Sequence, residues 1–328
     1  MTGLLLAAGL DYLLGDPWGW PHPVRVMGWL INRYTRLVFA FTAKLVRPKQ
    51  QACAERMAGI VLAIGLIGGS GWVGWLLVRG STFIHPWLGM GVNIILLASC
   101  FAGRSLRAAA IDVLEPLQAG NLAQARTHLS RYVGRDTANL SEPEVLRALL
   151  ETVTENATDG VMAPLFYALV GLLMPAIGSV PLALGYKAAS TLDSTIGYKT
   201  APYTFIGWFP ARLEDGLTWL PCRLTVLTLA LISGQPGHVW RLCQRDARQD
   251  PSPNAGWSEC AYAAALNVQM GGLNYYQGLA KPKPLLGNPI WAITPAKINQ
   301  ALTLTRSSFL LWLIFAVCAW LFNKLIIN

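Results

Sequence analysis

Charge is what this 328-residue sequence has least of. Asp, Glu, Lys and Arg make up 13% of it, against roughly 25% in an ordinary soluble domain. It also lacks paired cysteines. Cys53, Cys100, Cys222, Cys243, Cys260 and Cys318 are scattered at no zinc-ligand spacing. They read as small buried hydrophobes, with no disulfide and no metal. There is no P-loop, no G-x-G-x-x-G after a strand and no G-x-S-x-G elbow, which excludes the standard nucleotide and hydrolase motifs. No basic run or RNA-binding motif accompanies the net charge of +9, so nucleic acid is not the expected partner. Anionic lipid and a phosphate-bearing substrate account for the charge better. The apolar residues 1–10 have no basic segment before them, and Asp11 and Asp16 follow at once. That start reads as a membrane-facing helix retained on the protein, not a cleaved signal. Internal repeats and low-complexity tracts are absent too.

Apolar length is there in abundance. Hydrophobic residues make up 53% of the chain, and residues 57–78, 87–103, 160–186 and 307–322 carry no charge. A helix needs about 20 such residues to span a bilayer. Residues 57–103 therefore read as a transmembrane hairpin. Arg25, Arg33, Arg36, Lys44, Arg47, Lys49 and Arg56 all precede it, which places 16–56 in the cytoplasm. Thirteen Trp and ten Tyr suit a bilayer interface or a large ligand pocket.

Residues 104–159 read as a polar helical segment, broken at Gly120 and Asn121. Ser141 with Glu144 is a capping box that opens another helix. The 160–234 region is apolar but interrupted. Pro164, Pro175 and Pro181 make 160–186 either one broken span or a re-entrant hairpin, tolerated only where it is buried in protein or lines a cavity. Arg223 would cost about 2.5–3.5 kcal/mol at a helix centre, so it belongs near an interface or against a polar pocket. Residues 235–306 read as a loop-rich motif segment, and 307–322 as a last span. The expectation is an all-α, multi-pass helical integral membrane protein built as one membrane-embedded domain.

The polar residues gather in five short clusters. ETVTENATDGV carries Glu151, Glu155 and Asp159 at four-residue spacing, with Asn156 beside them. On a continuous helix these carboxylates share a face. They make either a solvated acidic face or a cation site, and Mg²⁺ takes one or two carboxylates plus phosphate oxygens. YKAASTLDSTIGYK offers Lys187, Asp193 and Lys199, and lysine is a usual phosphate partner. ARLEDGLTWLPCRL offers Arg212, Glu214, Asp215 and Arg223. RDARQDPSPNAGW sets Arg245 and Arg248 before the rigid turn of Ser252 and Asn254. GDPWGWPHPVRVMG contains His22 and Arg25. Taken singly, each cluster also reads as a polar loop, a turn or a helix end.

Together, in this order, these clusters resemble the CbiB/CobD family of adenosylcobinamide-phosphate synthases. The resemblance runs from DYLLGDP at 11–17 through HPVR, GRDTANL at 134–140, ENATDGVMAPLFY, YKAASTLDSTIGYK, ARLEDGLTWLPCRL and SPNAG to GGLNYYQG at 271–278. This chain departs from the usual family residue at Ser190, Glu214, Thr218 and Cys222. The resemblance implies an ATP- and Mg²⁺-dependent ligase that joins the amine of an aminopropanol phosphate to a propionate carboxylate of adenosylcobyric acid. It implies an inner-membrane enzyme whose site faces the cytoplasm, with cobalamin synthase as a partner on pathway grounds. Residue type then suggests Glu155, Asp159, Asp193 and Asp215 as catalytic carboxylates. Glu151, Glu155, Asp159 and Asp193 would be Mg²⁺ ligands. His22, Arg25, Asn156, Lys187, Lys199, Arg212, Arg245, Arg248, Ser252 and Asn254 would be substrate and phosphate contacts. A regulatory membrane protein of the related AmpE kind and a corrinoid transporter stay open as other readings of the same residues.

Overall fold

The computed structural model describes residues 1–15 and 22–327. Asp16, and with it the end of the DYLLGDP cluster and the first half of GDPWGWPHPVRVMG, lies outside the described residues. Among the described residues the regular structure is helical apart from one β-hairpin. In order run α1 (Thr2–Leu13), α2 (Pro23–Thr42), α3 (Pro48–Ile84), α4 (Pro86–Ala98), α5 (Gly103–Gln118), α6 (Leu122–Leu129) and α7 (Glu142–Asn156). A single π-helical turn, Ala157–Met162, links α7 to α8 (Ala163–Leu172). Then come α9 (Ser179–Ile196), α10 (Trp208–Ile232), α11 (Pro236–Asp246), α12 (Ala255–Leu266), strands β1 (Gln269–Tyr276) and β2 (Leu279–Gly287), and α13 (Pro295–Ile327).

Among the described residues, four helical stretches are long and apolar enough to cross a membrane: Pro48–Ile84, Pro86–Gln118, Trp208–Ile232 and Pro295–Ile326. Their large apolar side chains stay largely exposed, as in Phe315 and Ile314 on α13. Water would not tolerate so much exposed hydrocarbon, whereas lipid is as apolar as the side chains themselves. The protein is an all-α, multi-pass membrane protein. Residues 160–186 form a helical hairpin rather than one span. The π turn and α8 run to Leu172, the chain turns through 173–178, and α9 returns against α8. The segment expected as loop-rich, 235–306, instead holds α11, α12, the β-hairpin and the start of α13. Pro251, Pro253 and Pro289 do lie in turns or coil, but Pro282 and Pro284 stand on strand β2 and Pro295 opens α13, where proline is tolerated.

The chain divides into two compact units. The first comprises residues 1–102 and 163–218. Its framework is α3 against α9, where Gly74 allows the approach: a Cβ there would sit 2.6 Å from Leu184 Cδ1. The second comprises 103–162 and 219–328. Its core is built from Leu149, Leu150 and Val153 of α7, Val226 and Leu229 of α10, Cys260 and Ala263 of α12, and Ile298 and Ala301 of α13. Cys100, Cys222, Cys243 and Cys260 are buried as read, but Cys53 and Cys318 are exposed. Both lie on helices rich in exposed apolar residues.

The start of α7 matches the sequence pattern. The Glu144 carboxylate accepts hydrogen bonds from Ser141 N–H at 2.7 Å and Ser141 Oγ–H at 2.6 Å. These bonds hold the Glu144 carboxyl below its ordinary range. Ser141→Ala should cost about 1 kcal/mol of stability, read as a fall in melting temperature of the detergent-solubilised protein.

Candidate functional site

In the second unit, α7 presents Arg147, Glu151 and Glu155 one helical turn apart. Glu151 is fully buried and fully engaged. Arg135 Nη2 donates to its Oε2, and Arg147 Nη1 donates to Oε1 at 3.2 Å. Gly271 N–H donates to Oε1 at 2.8 Å. Burial alone would raise this carboxyl, but the charges of Arg135, Lys283 and Arg147 and the Gly271 amide hold it below its ordinary range. Glu151 is thus a structural anion, and a metal would have to displace two arginines to reach it.

The same arginines hold the hairpin. Arg147 donates to the carbonyls of Gly271 and Leu273 at 2.6 and 3.1 Å, and Arg135 to Asn274 Oδ1 at 2.9 Å. At the tip, Gln277 and Gly278 both adopt positive φ, 52° and 78°, the pattern of a type I′ turn. The Asp136 carboxylate accepts from both of their amides, at 3.0 and 2.7 Å. At the base, a bulge at Gly271 brings backbones so close that a Cβ would lie 1.9 Å from the Pro284 carbonyl oxygen. GRDTANL and GGLNYYQG are therefore two halves of one clamp.

The clamp carries Lys283 on β2 to Glu259 of α12, with Nζ donating to both carboxylate oxygens at 2.7 and 2.8 Å. Burial opposes charge on Lys283, but Glu259, Glu151 and Glu155 outweigh it and raise its pKa. Glu155 is different from both other glutamates. No hydrogen bond or ion pair holds its carboxylate among the described residues. Its side chain is exposed to solvent on α7. Burial pushes its carboxyl up, and Asp250 and Glu151 add to that against the pull of Lys283.

Beyond Glu155 the helix widens. Because residues 157–162 form a π turn, the four-residue spacing no longer stacks half-buried Asp159 directly on Glu155. Such turns are frequent at functional sites. Thr158 and Ser258 hydroxyls share a 2.7 Å hydrogen bond, and Ser258 Oγ–H also donates to the Thr154 carbonyl at 2.6 Å. These contacts pin the widened turn to α12. Asn156 is exposed and donates to the Thr152 carbonyl.

The SPNAG turn starts α12. Ser252 N–H donates to Asp250 Oδ1 at 2.8 Å, and Ser252 Oγ accepts from the amides of Asn254 and Ala255. Arg223 completes it. Its guanidinium lies 4.5 Å from the Trp257 ring centre and 5.3 Å from that of Trp219. It donates to Asn254 Oδ1 at 3.3 Å and the Pro253 carbonyl at 2.9 Å. The costly arginine of α10 is thus spent on fixing buried Asn254. Arg223→Lys should loosen the turn, because an ammonium cannot reproduce the planar fork. Faster amide exchange at 252–257 would register this. Arg245 makes a bidentate pair with Asp246 at 2.5 and 2.8 Å, and Asp246 accepts from the Gly287 amide. That pair fastens the end of β2. Arg248 is exposed and makes no hydrogen bond or ion pair among the described residues.

The first unit gathers a second charged group. Glu214, 6% exposed, accepts from Thr218 Oγ–H and, at 3.4 Å, from Tyr186 OH. The charges of Asp193 and Asp215 act on it, and those of Lys199 and Arg212 act on Asp215. Lys187 is half-buried on α9. His22 is the N-cap of α2, its Nδ1 accepting from Val24 N–H at 3.3 Å, and Arg25 is exposed in the first turn.

The order of these motifs and the clamp they build can be set against known proteins. The family described as CobD/Cbib protein matches residues 4–305. The chain belongs to the CobD/CbiB family. The "Cobalamin biosynthesis protein CobD" of a Synechocystis species is 53% identical over 304 residues, 93% of this chain and 87% of that one. The protein of the same name from Yersinia enterocolitica is 40% identical over 322 residues, covering 97% of each. The "Cobalamin biosynthesis protein CbiB" of Salmonella typhimurium is 38% identical over 299 residues, covering 90% and 89%. No solved structure matches the chain. This CobD/CbiB protein is a cobalamin biosynthesis protein of the membrane. Arg135, Arg147, Glu259 and Lys283 were not singled out as site residues from the sequence. Arg135 and the hairpin lie within motifs quoted for the resemblance, but only long-range contact reveals what their charges do.

Proposed function

We propose that the protein joins adenosylcobyric acid to (R)-1-aminopropan-2-yl phosphate in an ATP-dependent amide ligation, giving adenosylcobinamide phosphate. The observation that supports this most is Glu155, an accessible carboxylate in the field of Lys283 and Asp250, with no hydrogen bond or ion pair among the described residues. Its pKa is raised above the ordinary glutamate value, which favours its taking up a proton. In the first step a propionate carboxylate oxygen attacks the γ-phosphoryl group of ATP, the bond to the β-phosphate oxygen breaks, and ADP departs. The acyl phosphate then accepts the amine at carbon, phosphate leaves, and the ammonium proton passes to Glu155.

Among the described residues no group of three or more His, Cys, Asp or Glu side chains is arranged to hold a metal ion. Mg²⁺ is usually held by one or two carboxylates with phosphate oxygens and water; Asp159 on the π turn would supply one such carboxylate, leaving Glu155 to take the proton. The ion would neutralise charge on the transferred phosphoryl group. Arg248 is free to meet phosphate. Asn254, fixed by Arg223 and presented by the Ser252 turn, orients substrate by hydrogen bonding. In the first unit, Asp193, Asp215, Lys187, Lys199 and Arg212 supply further phosphate and cation contacts. His22 and Arg25 are proposed as substrate contacts as well. ATP use and the basic 16–56 segment favour a site facing the cytoplasm of an inner membrane, where cobalamin synthase would take up the product.

Complementation tests this reading. Expressed in a bacterium deleted for its own CobD/CbiB gene, the chain should restore growth on cobyric acid with aminopropanol phosphate available. A strain that grows on cobinamide but not on cobyric acid would contradict it.

A further inference from the structure

The first unit contains a cavity of about 500 Å³ between α3, α8 and α9, within the roughly 300–1,000 Å³ of ligand sites. It is lined from α3 by Gly68, Gly71, Trp72 and Trp75, and on the opposite side by Tyr167, Pro181 and Tyr186. Its α3 wall lies in the uncharged part of a helix long and apolar enough to cross the membrane. At roughly 30 Å³ per molecule, the cavity has room for about fifteen waters. They would find almost nothing to bond. Trp75 Nε1–H donates to the Ala176 carbonyl at 3.2 Å, and Tyr167 OH to the Leu217 carbonyl at 2.9 Å. The Tyr186 hydroxyl is occupied by Thr218 and Glu214. The polar atoms of Trp75, Tyr167 and Tyr186 are thus already engaged, and the rest of the lining is apolar apart from the Trp72 indole, so the cavity suits hydrocarbon.

Two features choose the hydrocarbon. Trp72 lines the cavity and is 63% exposed, and its neighbours Val73 and Leu76 are exposed on the same span. The cavity is thus continuous with a surface that faces lipid. At its Trp75 end stands a cation: the Arg79 guanidinium lies 5.7 Å from the Trp75 ring centre. Arg79 is exposed, and no carboxylate pairs with it among the described residues. An arginine beside an interfacial tryptophan, one turn beyond an apolar slot, is complementary to a lipid phosphate. We propose that the cavity holds one acyl chain of an anionic phospholipid whose phosphate lies at Arg79. This site is independent of the ligase reading.

The test uses the whole protein in nanodiscs with phosphatidylglycerol or phosphatidylcholine bearing a photoactivatable group in the acyl chain, adducts being mapped by mass spectrometry. Adducts from phosphatidylglycerol should concentrate in 67–75 and 176–186 above the level on lipid-facing α13, and unlabelled phosphatidylglycerol should compete. A Cβ on Gly68 meets nothing within 4 Å, so Gly68→Phe fills the cavity from within. It should remove those adducts and leave α13 labelling unchanged. Gly65→Phe adds the same bulk to α3 outside the lining and should change nothing. Arg79→Gln should reduce phosphatidylglycerol labelling to the phosphatidylcholine level. If Gly68→Phe is not monodisperse, Leu182→Trp narrows the same space from α9. Labelling no higher than on α13, labelling untouched by filling, or competition by adenosylcobyric acid but not by lipid would overturn the proposal. So would equal labelling by the two headgroups in the wild type.

Discussion

Replacing Glu151 by alanine should leave little folded protein. The substitution strips the shared partner from two arginines whose side chains are only 8% and 15% exposed, and it removes the acceptor of the Gly271 amide. Removing one member of a buried ion pair typically costs about 3–5 kcal/mol, because the remaining charge is stranded. Here the loss extends to the hairpin. Arg135 and Arg147 together bind three groups of β1, and β2 delivers Lys283 to Glu259. Thermal unfolding of the detergent-solubilised protein should show a large downward shift, with early protease cleavage in 269–287. Glu151→Gln, which keeps an acceptor for Gly271, should be the milder change. An alanine variant as stable as the wild type would show that the clamp contributes nothing.

One turn on, Glu155→Gln should do the reverse. It should lower ligation by about 10²–10⁴-fold, the usual worth of a positioned acid or base, and leave the fold intact. It should also stabilise the protein near neutral pH. The folded-state pKa of Glu155 is raised, chiefly by burial, so the folded chain holds this proton more tightly than the unfolded one. The wild type therefore loses stability as pH rises from about 4.3, the ordinary glutamate value, through the folded-state value. Glutamine does not ionise. The variant's advantage should be present at pH 7 and vanish below about pH 4, where Glu155 is protonated in both states. Melting curves across that range check the sign. An active Glu155→Gln enzyme would remove Glu155 from the chemistry.

These opposite fates mark what the sequence could and could not disclose. Local pattern was legible. The Ser141–Glu144 box, the break at Gly120 and Asn121 and the uncharged spans all follow from neighbours a few residues apart. Glu151, Glu155 and Asp159 were equivalent on that basis. They differ because Arg135 arrives from 16 residues upstream of Glu151 and Gly271 from 120 downstream, and because the helix widens to a π turn before Asp159. No periodicity encodes either effect. Lys283 was hidden for a related reason. In LAKPKPLLG its prolines read as a loop, yet alternate residues of β2 still turn Lys283 inward to Glu259. Arg223 was legible as a problem, a cation in an apolar helix, and the structure supplies the solution in two indoles and the SPNAG turn.

The most direct test is ligation by the purified protein in nanodiscs, supplied with adenosylcobyric acid, aminopropanol phosphate, ATP and Mg²⁺, with mass spectrometry of the corrinoid. The account predicts adenosylcobinamide phosphate from the wild type only when ATP is present, and almost none from folded Glu155→Gln. No product from wild-type protein shown to be folded would contradict it.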